Sequence, residues 1–161
     1  MPRVAFDTVK RGTILYHGTS AEEDFEFPEG PAWFTDDLEV AKRFVPWHEG
    51  PRPRILVFKV RRGIKLPIIH RPEDLDNLLA HATGFDIMDV RAELNEEVFE
   101  MAEAVCGDPR YNGWWIPGNY DGSADIMLCE PEDWLMNVTP KRGPKAKAIA
   151  VNPAPTGYRH T

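Results

Sequence analysis

Apolar residues fall in short runs separated by polar, proline- and glycine-rich stretches. Thr13-Ile14-Leu15-Tyr16 predicts a strand, and His17-Gly18-Thr19-Ser20 a turn after it. Residues 21–31 are acidic and carry Pro28, Gly30 and Pro31, which predicts a loop. Ala32-Trp33-Phe34-Thr35 predicts a second strand. A helix start follows, with Asp36 as the cap and Glu39 completing a capping box. Leu38, Ala41, Phe44 and Val45 recur at helical spacing, and Pro46 ends that helix.

Ile55-Leu56-Val57-Phe58-Lys59-Val60 is nearly continuous and β-prone, which predicts a buried strand. Arg61-Arg62-Gly63 reads as a turn. Pro72 opens a helix with Leu75, Leu78 and Leu79 on one face. Val90, Leu94, Val98, Met101 and Val105 form the apolar stripe of a longer helix from about residue 89 to 105, a stripe that reads as core. Residues 106–122 are rich in Gly, Asn, Pro and aromatics and predict a loop; large aromatics in loops often serve recognition. Asp125 to Cys129 predicts another strand, and Pro131 to Leu135 a helical turn. Strands and helices mix without regular alternation, which gives an α+β class. Residues 1–138 read as one domain; residues 139–161 read as a flexible basic, proline-rich tail.

Composition adjusts this picture in a few places. The 161 residues, 42% hydrophobic and 28% charged, describe an ordinary globular chain. No apolar run is long enough to span a membrane, and the N-terminus lacks the apolar core of a secretory signal. The net charge of −7 argues against broad nucleic-acid binding. Arg52, Arg54, Lys59, Arg61, Arg62 and Lys65 form a local basic set, read first as a solvated strand rim. Cys106 and Cys129 make neither a disulfide framework nor a zinc spacing, so a reduced, cytoplasmic setting is expected. Cys129, inside an apolar strand, is expected to be packed. His48, His70, His81 and His160 are scattered, and no metal site is expected.

Three segments stand out for chemistry: Tyr16-His17-Gly18-Thr19 at a strand end; Trp33-Phe34-Thr35 before a helix carrying Ala41 and Phe44; and Tyr120-Asp121-Gly122 before the strand that starts at Asp125. Together they resemble the ADP-ribosyltransferase superfamily, in the His-Tyr-Glu branch that includes the poly-ADP-ribose polymerases. The opening is similar to that of small bacterial and phage members. The resemblance covers islands between residues 13 and 135. It implies an ADP-ribosyltransferase-like fold of split antiparallel β-sheets with flanking helices. It also implies an NAD-dependent transferase (a glycosyltransferase) that cleaves the nicotinamide–ribose bond and passes ADP-ribose to an acceptor. That acceptor is a protein, a nucleic acid or a small molecule.

Roles follow from the resemblance position by position. His17, Trp33 and Asp125 are the expected catalytic set. Tyr16, His17, Gly18, Thr19, Trp33, Phe34, Ala41 and Phe44 are the expected NAD-binding set. His17 would bond ribose hydroxyls, Gly18 the nicotinamide carboxamide through its backbone, and Thr19 the adenosine side. Trp33 stands where the family has tyrosine, Phe44 where a ring stacks on nicotinamide, and Asp125 where the family has glutamate. Physical chemistry supports such a set. Glycine allows close backbone approach. Imidazole donates to or accepts from ribose oxygens, and flat rings hold a flat ring. A carboxylate stabilises the positive charge that develops on the ribose; Asp125 or Glu130 could supply it. Trp114, Trp115 and Tyr120 are candidates to frame the acceptor or the nicotinamide. Ser123, two residues before Asp125, stands where arginine-specific members carry a second glutamate.

The plain alternatives are a structural histidine at 17, core packing for Trp33, Phe34 and Phe44, and a strand-edge carboxylate at 125. Two other functions remain open. One is an inactive module of the same fold that binds NAD or ADP-ribose. The other is a tRNA 2'-phosphotransferase-like enzyme, which would need arginines about its site.

Overall fold

A computed structural model of the chain describes residues 2–46, 49–118 and 122–140. It is a mixed α+β structure with two antiparallel sheets. The elements in chain order are β1 (Phe6–Val9), β2 (Ile14–Thr19), β3 (Ala32–Thr35), α1 (Leu38–Arg43), β4 (Arg54–Val60), β5 (Ile64–Pro67) and α2 (Pro72–Thr83). There follow α3 (Val90–Glu93), α4 (Val98–Cys106), β6 (Gly113–Gly118), β7 (Ser123–Leu128), α5 (Pro131–Trp134) and β8 (Leu135–Asn137). β1 and β5 form a two-stranded sheet; the other six strands run in the order β6-β7-β3-β2-β4-β8.

The large sheet is covered on both faces, which is why its strands carry so many apolar residues. Leu15, Phe34, Phe58, Ile126 and Leu128 pack with Val9, Ile64 and Leu66 of the small sheet. Alternation along the strands sends Trp33 and Met127 the other way. There they meet Trp114 and the helical residues Leu78, Leu79, Met101 and Val105. A third group, Ala41, Val45 and Ile55, seats α1 against the sheet beside Tyr16.

The predicted strands at 32–35 and 55–60 and the helix opened by Pro72 are present. Asp74 closes the start of that helix by accepting from the backbone N–H groups of His70 and Arg71, which hold its carboxyl below the usual range.

Four local expectations change. First, residues 17–19 are not a turn: β2 continues through Thr19 because β4 offers a full set of partners. Second, the cap of α1 is Asp37, whose Oδ1 accepts from Glu39 N at 2.8 Å and Val40 N at 3.2 Å. Asp36 instead accepts from Ala124 N at 2.8 Å and ties α1 to β7. Third, the 89–105 helix is broken. Asn95 and Glu96 adopt left-handed φ of 56° and 52°, and Glu97 restarts the helix by accepting from Phe99 N and Glu100 N. Fourth, the 106–122 loop contains β6, with Trp114 fully buried. A Cβ on Gly113 would lie 1.8 Å from the Met127 carbonyl oxygen, so the glycine marks close strand pairing there.

Cys106 and Cys129 are joined in a disulfide that links the end of α4 to the exit of β7. Sequence spacing cannot reveal such proximity. The bond removes the argument from unpaired thiols to a reducing compartment. No helix among the described residues is long and apolar enough to cross a membrane.

Most of the basic set is structural. Arg52 Nη1 donates to Glu22 O, and Arg54 Nη1 to Ala21 O, so both clamp the acidic loop. Arg61 donates to Glu132 and Asp133 carbonyls, and Arg62 lies 4.4 Å from the Trp134 ring centroid. Lys65 sits over the Phe6 ring. Thr139 bonds Val57 N through its hydroxyl at 2.8 Å. Residues 141–161, the greater part of the expected tail, lie outside the described residues.

Candidate functional site

The site arises where the large sheet comes apart. β2 pairs with β4 along its whole length, Ile14↔Lys59 through Thr19↔Arg54. On its other edge it pairs with β3 at a single position, Tyr16↔Thr35. Beyond that pair the two strands diverge, and backbone groups that a ladder would satisfy need other partners. The His17 side chain supplies one: its Nδ1 lies 2.8 Å from the Trp33 carbonyl oxygen. A carbonyl only accepts, so Nδ1 carries the proton. Burial pushes the imidazole's pKa below its ordinary value, against the opposing effect of the Trp33 bond, so the ring is neutral at pH 7. Nε2 then bears the lone pair and can accept from a hydroxyl. The Phe34 ring steadies the imidazole, with centroids 5.4 Å apart.

A cavity of about 350 Å³ fills the opened seam. Register aligns Tyr16, Thr35 and Asp125 in one row across β2, β3 and β7, and paired residues of an antiparallel sheet share a face. Val40, Ala41 and Phe44, from α1 and its C-terminal end, border one side, and Val98 and Phe99 from the start of α4 border another. Trp33 contacts Phe99, with centroids 6.3 Å apart, and meets Trp114 edge-on at 6.4 Å.

Of the nine residues expected at the site, Tyr16, His17, Gly18, Trp33, Phe34, Ala41, Phe44 and Asp125 border this one cavity. Thr19 does not: it is buried, and its hydroxyl accepts from Ala21 N at 3.2 Å to fix the loop that follows β2. Gly18 has a structural reason besides the expected one. A Cβ there would stand 3.0 Å from both Cα and Cγ2 of Val45, so glycine lets the chain after α1 close over β2.

The other candidates fall elsewhere. Glu130 is exposed at the start of α5 and does not border the cavity; a hydrogen bond with Glu132 raises its pKa. Trp114 is core, and half-buried Trp115 packs against the opposite core. Tyr120 and His48 lie outside the described residues. Ser123 is buried and does not border the cavity.

Val98 and Phe99 were hidden in the sequence. Val98 fits the apolar spacing of one long helix, but the left-handed break at residues 95–96 re-aims it, leaving Val98 53% and Phe99 46% exposed at the cavity. The usable signal is the pair Asn95-Glu96 ahead of Glu97: asparagine tolerates left-handed backbone, and an acidic residue can cap the restart.

Among the described residues no lysine or arginine borders the cavity, and no group of His, Cys, Asp or Glu is arranged to hold a metal ion. The chain was compared with family models, with curated proteins and with solved structures, and none of the three comparisons finds a match.

Proposed function

We propose that the protein is an NAD-dependent ADP-ribosyltransferase whose reaction takes place in the cavity between β2 and β3. The observation that carries this reading is the meeting of His17, Trp33 and Asp125 at one opening in the sheet. Three sequence islands chosen for their likeness to that superfamily converge there, although 108 positions separate the first from the last.

In this reading the nicotinamide ring lies among Tyr16, Trp33 and Phe44. The bond from the ring nitrogen to ribose C1' breaks, and nicotinamide leaves with the electron pair. Positive charge grows on the ribose, and Asp125 stabilises it. Neutral His17 accepts a ribose hydroxyl at Nε2. An acceptor nucleophile then bonds C1' and releases its proton. Water as acceptor gives NAD hydrolysis. The 350 Å³ cavity matches the nicotinamide end of the dinucleotide better than the whole.

One observation favours a second reading, an NAD- or ADP-ribose-binding module without turnover. Asp125 is one methylene shorter than the glutamate the resemblance calls for, and small misplacements of a catalytic group are costly. A 2'-phosphotransferase reading has less support, since Arg52, Arg54 and Arg61 are spent on backbone carbonyls.

The test incubates the purified protein with NAD and follows free nicotinamide by chromatography, with and without cell lysate as a source of acceptor. The transferase reading expects release that is lost in both His17→Ala and Asp125→Ala. No release from the native chain, but release from Asp125→Glu, would select the binding module.

A further inference from the structure

We propose that the Cys106–Cys129 disulfide is a redox switch for the cavity. Oxidised, it holds the Val98–Phe99 wall in place against the strand that carries Asp125; reduced, it lets that wall loosen. As a control on NAD cleavage the switch rests on the reading above, but as a change in α4 it stands apart from it.

The bridge joins two elements that both reach the cavity. α4 begins there with Val98 and Phe99, and β7 places Asp125 there. Both then run on to the bridge, where Cys106 closes α4 and Cys129 follows β7. At the helical rise Phe99 lies roughly 10 Å from Cys106, and at the strand rise Asp125 lies roughly 13 Å from Cys129. The bridge ties the far ends of two arms of similar length, and the near ends of both border the cavity.

A helix of nine residues does not hold its shape alone in water, so α4 depends on its anchors. Its buried face, Met101, Ala102 and Val105, packs in the helical core with Trp114 and Met127. Its first turn is held less firmly. Val98 and Phe99 are about half exposed, and Phe99 meets the Trp33 ring. Ahead of that turn the left-handed pair Asn95 and Glu96 separates α4 from α3, so no continuous helix braces it. The covalent anchor at Cys106 is the constraint that a chemical signal can remove while the apolar face keeps α4 folded.

The bridge is placed to receive such a signal. Both cysteines are half-buried, and Gly107 and Glu130, the residues that follow them, are exposed. Cys106 Sγ lies 3.7 Å from Met127 Sδ, and Cys129 Sγ lies 3.9 Å from the Tyr111 carbonyl oxygen, so the bridge sits at the border of the core. A thiolate of a dithiol reductant attacks one sulfur and forms a mixed disulfide. The reductant's second thiol then attacks that bond, and the reductant leaves as its own disulfide. Two electrons and two protons pass to the protein, and Cys106 and Cys129 end as thiols. The chain has only these two cysteines, so oxidation restores the same pair. The cavity is therefore firm in an oxidising setting and slack in a reducing one.

The test follows deuterium uptake of the full chain by mass spectrometry, oxidised and after treatment with dithiothreitol. Free thiols are counted by alkylation, and folding is checked by circular dichroism. Over labelling times of seconds to minutes, α4 should take up deuterium at least about tenfold faster in the reduced chain, as expected for a local opening, while β4 stays protected in both states. Nicotinamide release from NAD should fall several-fold on reduction and return when oxidised glutathione restores the bridge. Cys106→Ser/Cys129→Ser should behave as the reduced chain does and no longer respond to dithiothreitol; should that variant not fold, the reduced native chain carries the test. A bridge that is reduced only when the whole chain unfolds would overturn the inference. So would equal uptake by α4 in the two states, loss of protection in α4 and β4 together, or release that reduction leaves unchanged. An oxidised chain that releases no nicotinamide, but whose α4 loosens on reduction, would instead uphold the switch and defeat the transferase reading.

Discussion

The two edges of β2 are built to different ends. Toward β4 the strand is laddered from Ile14 to Thr19, and the side chains between them, such as Leu15 and Phe58, are fully buried. Toward β3 it holds one pair and then lets go. The closed edge gives the sheet its stability. The open edge gives up several ladder bonds, and His17 replaces one with a side-chain bond to Trp33 O. Half-buried aromatics then gather where core residues would otherwise close the gap.

That contrast can be broken from either side. The largest effect is expected at the closed edge. Phe58→Ala should destabilise the fold by about 3–5 kcal/mol, read from urea unfolding, because the ring is fully buried between Phe27 and Phe34. At the open edge, Asp125→Ala should lower the rate of nicotinamide release by roughly 10²–10³-fold, the size seen when one charge-stabilising group is removed, with little change in stability.

Reduction of the Cys106–Cys129 bond lies next in size. It closes a loop of sequence separation 23, and its loss should cost about 3 kcal/mol in the chain-entropy model, measured by thermal melting with and without a dithiol. Because the bond joins α4 to the exit of β7, the same melt tests how firmly the Phe99 side of the cavity is held.

The smallest effect sharpens the account of His17. Its ring resists protonation when folded, whereas in the unfolded chain it titrates near 6.5. The unfolded state thus binds more protons as pH drops below about 6.5, and stability falls with it. Unfolding midpoints should decline between pH 7.5 and 5.5, and His17→Gln should flatten that decline. Asp74 and Asp108, whose carboxyls are held low by hydrogen bonds, lose their contribution only below 3.8 and do not confuse this window.

Tyr16, Trp33, Phe44 and Asp125 were singled out through a resemblance to a family, and the structure brings them to the border of one cavity. β6 was hidden because Gly113, Pro117 and Gly118 imitate a loop, while Met127 and Leu128 across the ladder, invisible to local pattern, make it a strand. The broken helix was hidden because Val98 keeps the right spacing, although its surroundings differ. The disulfide was hidden because it depends on distance in space. Asp36 and Asp37 are adjacent and chemically alike, and only the geometry of α1 decides which one caps it.

The measurement closest to the central claim is nicotinamide release from NAD by the native protein beside His17→Ala and Phe58→Leu. A catalytic open edge and a structural closed edge predict release that His17→Ala abolishes while leaving the fold near its native stability, and that Phe58→Leu retains as long as the chain stays folded. Release that survives in folded His17→Ala, or its absence from the native chain with every acceptor source supplied, would contradict the account.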